Sequence, residues 1–292
     1  MTLSPEAAER LRSLGYVAPS TSKAGTTTAP AANPARVIAD WVAFEDALAL
    51  LNTGRATQAA PALAALAVRH PGSMVFHSNW ARALRESGRP AEALAAYRKA
   101  VQRWPGDAVL YHDLAVTARA AGRAQEAVDA ERAALVVDDE YAPAHNGLGL
   151  LTVDAGNPSG ARSAFERAVA LDATNASYWV NLGNASRAVD DVVGAGRAYR
   201  KAAELDPTSP DAANGLGVLL VQAGRPLEAI PLFQRAIGAR PDFFEALLNL
   251  GIAQQEAGRI DAARETYGRV LAAPQSFGRE RRAARELLGA LR

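Results

Sequence analysis

Residues 176–209, ASYWVNLGNASRAVDDVVGAGRAYRKAAELDPTS, are one copy of a pattern that recurs every 34 residues along the chain. A glycine stands at the same point of six copies, and Asp190 takes its place in the copy quoted. The glycines are Gly54, Gly88, Gly122, Gly156, Gly224 and Gly258. Five residues later every copy has an alanine: Ala59, Ala93, Ala127, Ala161, Ala195, Ala229 and Ala263. A fixed period of this length predicts stacked structural repeats rather than one compact domain.

Each copy predicts two antiparallel helices, named here helix A and helix B. The periodic glycine ends helix A, because glycine adopts the left-handed conformation without a Cβ clash. We expect Asp190 to tolerate this turn less well and to make the fifth copy the least stable. Helix B carries an aromatic ring four residues after its alanine in five copies: Tyr97, Phe165, Tyr199, Phe233 and Tyr267. The ring should fill the gap between neighbouring copies, and Glu131, at this position in the third copy, leaves the packing there in question.

The pattern resembles that of the tetratricopeptide repeat family, whose signature places Trp and Leu-Gly on the first helix and Ala, an aromatic ring and Pro after it. The quoted copy matches the signature with Trp179, Leu182, Gly183, Ala195, Tyr199, Ala202 and Pro207. The resemblance implies an all-α, right-handed superhelical solenoid of seven helical hairpins with a C-terminal capping helix. The hairpins would span residues 40–73, 74–107, 108–141, 142–175, 176–209, 210–243 and 244–277.

The two ends of the chain differ from the copies. Residues 278–292 predict an amphipathic helix that caps the array, with a basic helix that docks on a membrane or partner as the alternative. Residues 1–18 predict a short helix, and residues 19–35 predict a flexible linker rich in Ser, Thr, Ala and Pro. The segment PEAAERLRSLGYVA, residues 5–18, resembles the junction between bacterial sulfatase-like hydrolases and an appended tetratricopeptide tail. That resemblance implies the tail of such a fusion, and a terminal helix packed on its own solenoid is the alternative.

Composition excludes several classes of function. The chain of 292 residues has no cysteine, so it has no disulfide, thiolate metal site or cysteine nucleophile. A net charge of +1 gives no field that would attract nucleic acid or an anionic membrane. No metalloprotease, hydrolase or nucleotide-binding motif is present. We therefore expect a protein that is not an enzyme and takes no cofactor, metal or small-molecule substrate. Without a signal peptide or apolar span it should be cytoplasmic, or periplasmic as the tail of an exported fusion.

Polar residues recur on helix A opposite its buried small residue, where a solenoid presents a concave groove. The candidate peptide-binding residues are Asn79, Arg82, Arg85, Asp113, Arg119, Asn146, Asn181, Asn184, Arg187, Asn214 and Asn249. Asparagine both donates to and accepts from a peptide backbone, and arginine pairs with carboxylates. The resemblance implies an asparagine ladder like that of protein O-GlcNAc transferases, matched at Asn79, Asn181 and Asn249 and interrupted at Asp113, Gly147 and Gly215.

The sequence therefore predicts a non-enzymatic protein-interaction scaffold that binds an extended peptide or a partner helix. The family's two-carboxylate clamp for chaperone tails is incomplete, since Val180 and Gly215 replace its Lys and Asn. The alternative is a tail that recruits substrate or assembles a sulfatase-like hydrolase or glycosyltransferase system. Neither the identity of the partner nor the oligomeric state follows from the sequence.

Overall fold

The computed structural model describes residues 34–274 and 277–291. The predicted N-terminal helix, residues 1–18, lies outside the described residues, as does the predicted linker except for Pro34 and Ala35, which begin α1. Every regular element in the described part is a helix, which confirms the all-α class. The fifteen helices are α1 Pro34–Asn52, α2 Ala56–Arg69, α3 Met74–Glu86, α4 Pro90–Arg103, α5 Ala108–Ala120, α6 Ala124–Val137, α7 Ala142–Asp154, α8 Pro158–Leu171, α9 Ala176–Ala188, α10 Val192–Leu205, α11 Pro210–Gln222, α12 Pro226–Ala239, α13 Phe244–Glu256, α14 Ile260–Leu271 and α15 Gly278–Ala290. Odd-numbered helices up to α13 are helix A of hairpins 1 to 7, and even-numbered ones are helix B.

The chain divides into two compact units, and the boundary between Gly147 and Leu148 falls within α7. The core of the N-terminal unit includes the buried side chains Phe44, Leu51, Leu63, Leu66 and Phe76. The core of the C-terminal unit includes Ile230, Phe233, Leu247, Leu250 and Tyr267. Helix α15 buries Ala284 against that second core and packs Leu287 and Leu288 beside it.

The loop between the two helices of a hairpin has one repeated backbone conformation. The six periodic glycines all have φ between 70° and 75°, so the predicted left-handed turns are present. Asp190 has φ 60° and is the one non-glycine residue with positive φ in the described part of the chain. Helices α4, α8 and α12 each begin at a proline, which suits the first helical position because its missing N–H has no partner there.

The small residues and rings of helix B form the seam of the hairpins, as predicted. The seven invariant alanines are fully buried, with an exposed fraction of 0%. The five aromatic rings at the next repeat position are buried as completely, at 0–1%. Burial of this kind supplies most of the apolar contact between helices of an array, because each hairpin has too little core of its own.

Neighbouring hairpins are also joined by ion pairs. Arg98 of α4 donates from Nε and a terminal nitrogen to both carboxylate oxygens of Glu126 on α6, at 2.7 and 2.8 Å. In the C-terminal unit Arg162 of α8 lies 3.2 Å from the carboxylate of Asp191. A bidentate arginine pair is directional, so it fixes the register between hairpins more than it stabilises them.

Candidate functional site

In the N-terminal unit the predicted groove residues lie on α3, α5 and the start of α7. Arg85 of α3 donates to the carboxylate of Asp113 on α5 at 3.2 Å, so these two predicted residues come together. Arg82 instead donates to Glu86 on its own helix at 2.7 Å. The side-chain amide of Asn79 donates to the carbonyl oxygen of Val75, at 2.9 Å. The two remaining predicted residues of this unit are the exposed Arg119 and the half-buried Asn146.

In the C-terminal unit the predicted residues lie on α9, α11 and α13. The Asn249 amide donates to Asn214 Oδ1 at 3.0 Å, and Asn214 is buried, with an exposed fraction of 7%. On α9 the half-buried Asn181 and Arg187 flank Asn184, which is exposed.

Asn184 has the most defined geometry of these residues. Its Oδ1 accepts a hydrogen bond of 2.7 Å from the hydroxyl of Tyr199, the buried ring of hairpin 5. Burial raises the pKa of Tyr199, and the hydrogen bond and charge of Arg187 oppose that rise. Because the Tyr199 hydroxyl bonds its oxygen, the Asn184 amide keeps its N–H donors for another acceptor.

The two glycines that interrupt the asparagine ladder have a packing reason that the sequence analysis missed. A Cβ atom added at Gly215 would lie 2.5 Å from the ring of Tyr199, which comes from the preceding hairpin. A Cβ atom added at Gly147 would collide with the carboxylate of Glu131. In both cases a buried side chain sixteen residues earlier fills the space where a ladder asparagine would begin. The same spacing separates the buried Phe165 from Asn181 and the buried Phe233 from Asn249, so it does not by itself predict where the ladder is interrupted.

Glu131 itself is buried in the place of a ring, with an exposed fraction of 1%. Its two carboxylate oxygens lie 3.0 and 3.1 Å from Nδ1 of His112 on α5. Burial raises the pKa of Glu131, the hydrogen bond and charge of His112 act against that rise, and Asp113 adds to it. Hairpin 3 is therefore packed at the position of Glu131, and the imidazole of His112 contacts the buried carboxyl group.

The helix A faces also expose aliphatic side chains. On α5, Val109 and Val116 are 51% and 38% exposed, and on α7, in the C-terminal unit, Val153 is 48% exposed. Exposed aliphatic side chains beside asparagine and arginine suit a partner with both apolar and polar groups, because each kind of group finds a match.

Two other kinds of site are absent from the described residues. Within them no three His, Cys, Asp or Glu side chains are grouped so that they could hold a metal ion. No helix in residues 34–274 or 277–291 is long and apolar enough to span a lipid bilayer.

Comparisons with known proteins point to one family. Two sequence profiles, both described as tetratricopeptide repeat, match residues 84–151 and 220–288, and residues 44–108 and 146–210. No curated protein matched the sequence.

Solved structures that share the fold include the following three. The chain is similar to YrrB, described as a TPR protein with an unusual peptide-binding site (TM-score 0.51, 21% identity, 66% of this chain and 97% of that one). It is similar to a tetratricopeptide repeat protein from Parabacteroides merdae ATCC 43184 (TM-score 0.62, 15% identity, 87% of this chain and 99% of that one). It is also similar to a chain of the APC/C hetero-tetramer Cut9-Hcn1 (TM-score 0.63, 20% identity, 92% of this chain and 54% of that one). At these identities the likeness concerns the fold alone.

Proposed function

Because the chain belongs to the tetratricopeptide repeat family, we propose that it is a non-enzymatic scaffold that binds an extended peptide or a partner helix on its helix A faces. YrrB, of the same fold, is described as having a peptide-binding site, and Cut9 as assembled with Hcn1. Both descriptions support a protein or peptide as the ligand class.

The observation that carries the proposal is the arrangement at Asn184. The Tyr199 hydroxyl holds the amide oxygen, so the orientation of the amide is fixed before any ligand arrives. The exposed N–H donors can then bond a backbone carbonyl of a peptide regardless of its sequence. Arg187, one helical turn further along α9, offers a cation to a peptide carboxylate. A donor oriented in advance loses little entropy on binding, which favours affinity.

A random peptide display library, selected on the full chain, tests the proposal. Synthetic versions of the selected peptides should bind about tenfold more weakly to a variant with Asn181→Ala, Asn184→Ala and Arg187→Ala, measured by fluorescence anisotropy. Tyr199→Phe removes only the hydroxyl and should also weaken binding. The exposed Arg197→Ala on α10 serves as the control and should leave binding unchanged. Equal binding to the triple variant and to the parent chain would refute the proposal.

A further inference from the structure

A cavity of about 480 Å³ opens in the N-terminal unit beside hairpin 2. Its wall includes His77 and Trp80 of α3, Lys99 and Arg103 of α4, and Trp104, which follows α4. The cavity lies within the range of about 300–1,000 Å³ that is usual for small-molecule sites. It combines two indoles with two cationic side chains, a composition that no other described cavity of this chain has.

Both tryptophans depart from the repeat pattern. At the position of Trp80 five other copies have leucine: Leu114, Leu148, Leu182, Leu216 and Leu250. At the position of Trp104 three other copies have aspartate: Asp138, Asp172 and Asp206. The fold is therefore formed elsewhere in the same chain with much smaller side chains at both positions.

The aspartates that Trp104 replaces have a structural role. Asp172 accepts a hydrogen bond from the Thr174 N–H at 3.0 Å, and Asp206 accepts one from the Thr208 N–H at 2.9 Å. Bonds of this kind stabilise the turn after helix B. An indole has no acceptor, so hairpin 2 lacks this stabilising bond where it carries Trp104. Hairpins 1 and 6 carry His70 and Arg240 at this position, so the position also accepts large side chains in place of aspartate.

The charges at the cavity are unbalanced. The Arg103 guanidinium lies 5.3 Å from the ring centroid of Trp104, within cation–π range. Lys99 and Arg103 are exposed, and neither has a carboxylate at ion-pair distance in the described part of the chain. The His77 ring lies 5.4 Å from Trp104 between centroids. Burial lowers the pKa of His77, the charge of Arg103 lowers it further, and backbone hydrogen bonds with Pro71 and Ala67 oppose this change. The cavity lining thus contains the cationic side chains of Lys99 and Arg103 and no carboxylate.

We propose that this cavity binds a small planar organic anion, an aromatic ring that carries a carboxylate or phosphate. The ring packs against Trp80 and Trp104, where offset or edge contacts with an indole are favourable. The anionic group pairs with Lys99 and Arg103, whose charges are not otherwise neutralised. This site is independent of the peptide-binding proposal and adds a small-molecule ligand that the sequence alone gave no reason to expect.

Equilibrium dialysis of the full chain at neutral pH with naphthoate tests the site. We expect one saturable site, with affinity at least about tenfold lower for the neutral analogue naphthylmethanol, because it lacks the anionic group. Lys99→Gln with Arg103→Gln should weaken naphthoate binding by a similar factor of about ten.

The repeat pattern supplies matched variants that should still fold. Trp80→Leu and Trp104→Asp each install the residue that other copies carry, and both should abolish binding. Circular dichroism should show that Trp104→Asp melts no lower than the parent chain, since the turn regains its acceptor. Absence of saturable binding would overturn the proposal, as would undiminished binding to either variant or equal binding of naphthylmethanol. The groove variant with Asn181→Ala, Asn184→Ala and Arg187→Ala should bind naphthoate normally, and loss of binding there would also contradict it.

Discussion

Hairpins 3 and 5 place different chemistry at the same repeat position. In hairpin 5 this residue is Tyr199, whose ring packs against two glycines and whose hydroxyl bonds Asn184. In hairpin 3 it is Glu131, whose carboxylate packs against one glycine and contacts His112. Both side chains are buried, and in both the polar end has a partner on helix A of the same hairpin. The position therefore requires a side chain that fills it, and an aromatic ring is only one way to do so, since Leu63 fills it in hairpin 1.

The largest expected difference between these joints concerns their glycines. Gly215 and Gly147 occupy the same repeat position, one against a rigid ring and one against the end of a flexible side chain. Gly215→Ala should lower the free energy of unfolding by about 1–2 kcal/mol, even after a gain of about 1 kcal/mol in helix propensity. Gly147→Ala should lower it by less, because only the carboxylate end of Glu131 has to shift, with loss of part of its contact with His112. Urea unfolding of both variants measures the difference, and equal losses would show that the two joints are packed alike.

A smaller difference between hairpins 3 and 5 is the pH dependence of stability that Glu131 adds to hairpin 3. Burial raises the pKa of Glu131 in the folded chain, so folding favours its protonated form. Its stabilising contribution is complete below the ordinary glutamate pKa of about 4.3 and is lost as the pH rises through the raised folded value. Glu131→Gln should remove this loss, so the parent chain should become less stable relative to the variant as the pH increases from about 4 to 7. Urea unfolding at several pH values measures the slope.

Glu126 supplies the matched control for that slope. Its hydrogen bonds to Arg98 lower its pKa, so its contribution is present above the ordinary value and is lost as the pH falls. Glu126→Gln should therefore change the pH dependence in the opposite direction. A slope of the same sign for both variants would contradict the assignment of the effect to burial of Glu131.

The smallest expected effect lies in the loop of hairpin 5. Asp190 adopts φ 60° where the other copies have glycine, so it carries a Cβ in a region that disfavours one. Asp190→Gly should raise the free energy of unfolding by about 0.5–1 kcal/mol. Gly224→Asp, at the same position of hairpin 6, should lower it by a similar amount. A thermal melt that leaves both variants unchanged would show that this loop does not limit the stability of hairpin 5.

The repeated features of the fold were predictable because they depend on local chemistry. A buried alanine such as Ala195 recurs in all seven copies, a glycine at the left-handed turn in six, and a proline at the start of helix B in three. Because these residues recur at a fixed spacing over the copies, they are distinguishable from a generally high content of glycine, proline and alanine. The same reasoning found the ring positions and identified Glu131 as a departure from them.

The site was less predictable because it depends on contacts between particular side chains. Helical periodicity placed Asn214 on the groove face. In the structure its side chain is buried and accepts a hydrogen bond from Asn249. Periodicity also could not show that Arg82 would pair with Glu86 on its own helix. The gap at Gly215 depends on where the ring of Tyr199 ends, which is a fact of packing between hairpins. Such contacts occur once each, so no repetition reveals them in the sequence.

The bidentate pair between Arg98 and Glu126 has a consequence for how the gene can rearrange. Whole copies can be gained or lost in steps of 34 codons, which preserve the reading frame and the helix pattern. An exchange that placed hairpin 4 directly after hairpin 2 would set Gly160 opposite Arg98 in the place of Glu126. The arginine would lose its partner although the backbone of every hairpin stayed the same. The ion pair therefore favours the order in which hairpin 3 follows hairpin 2.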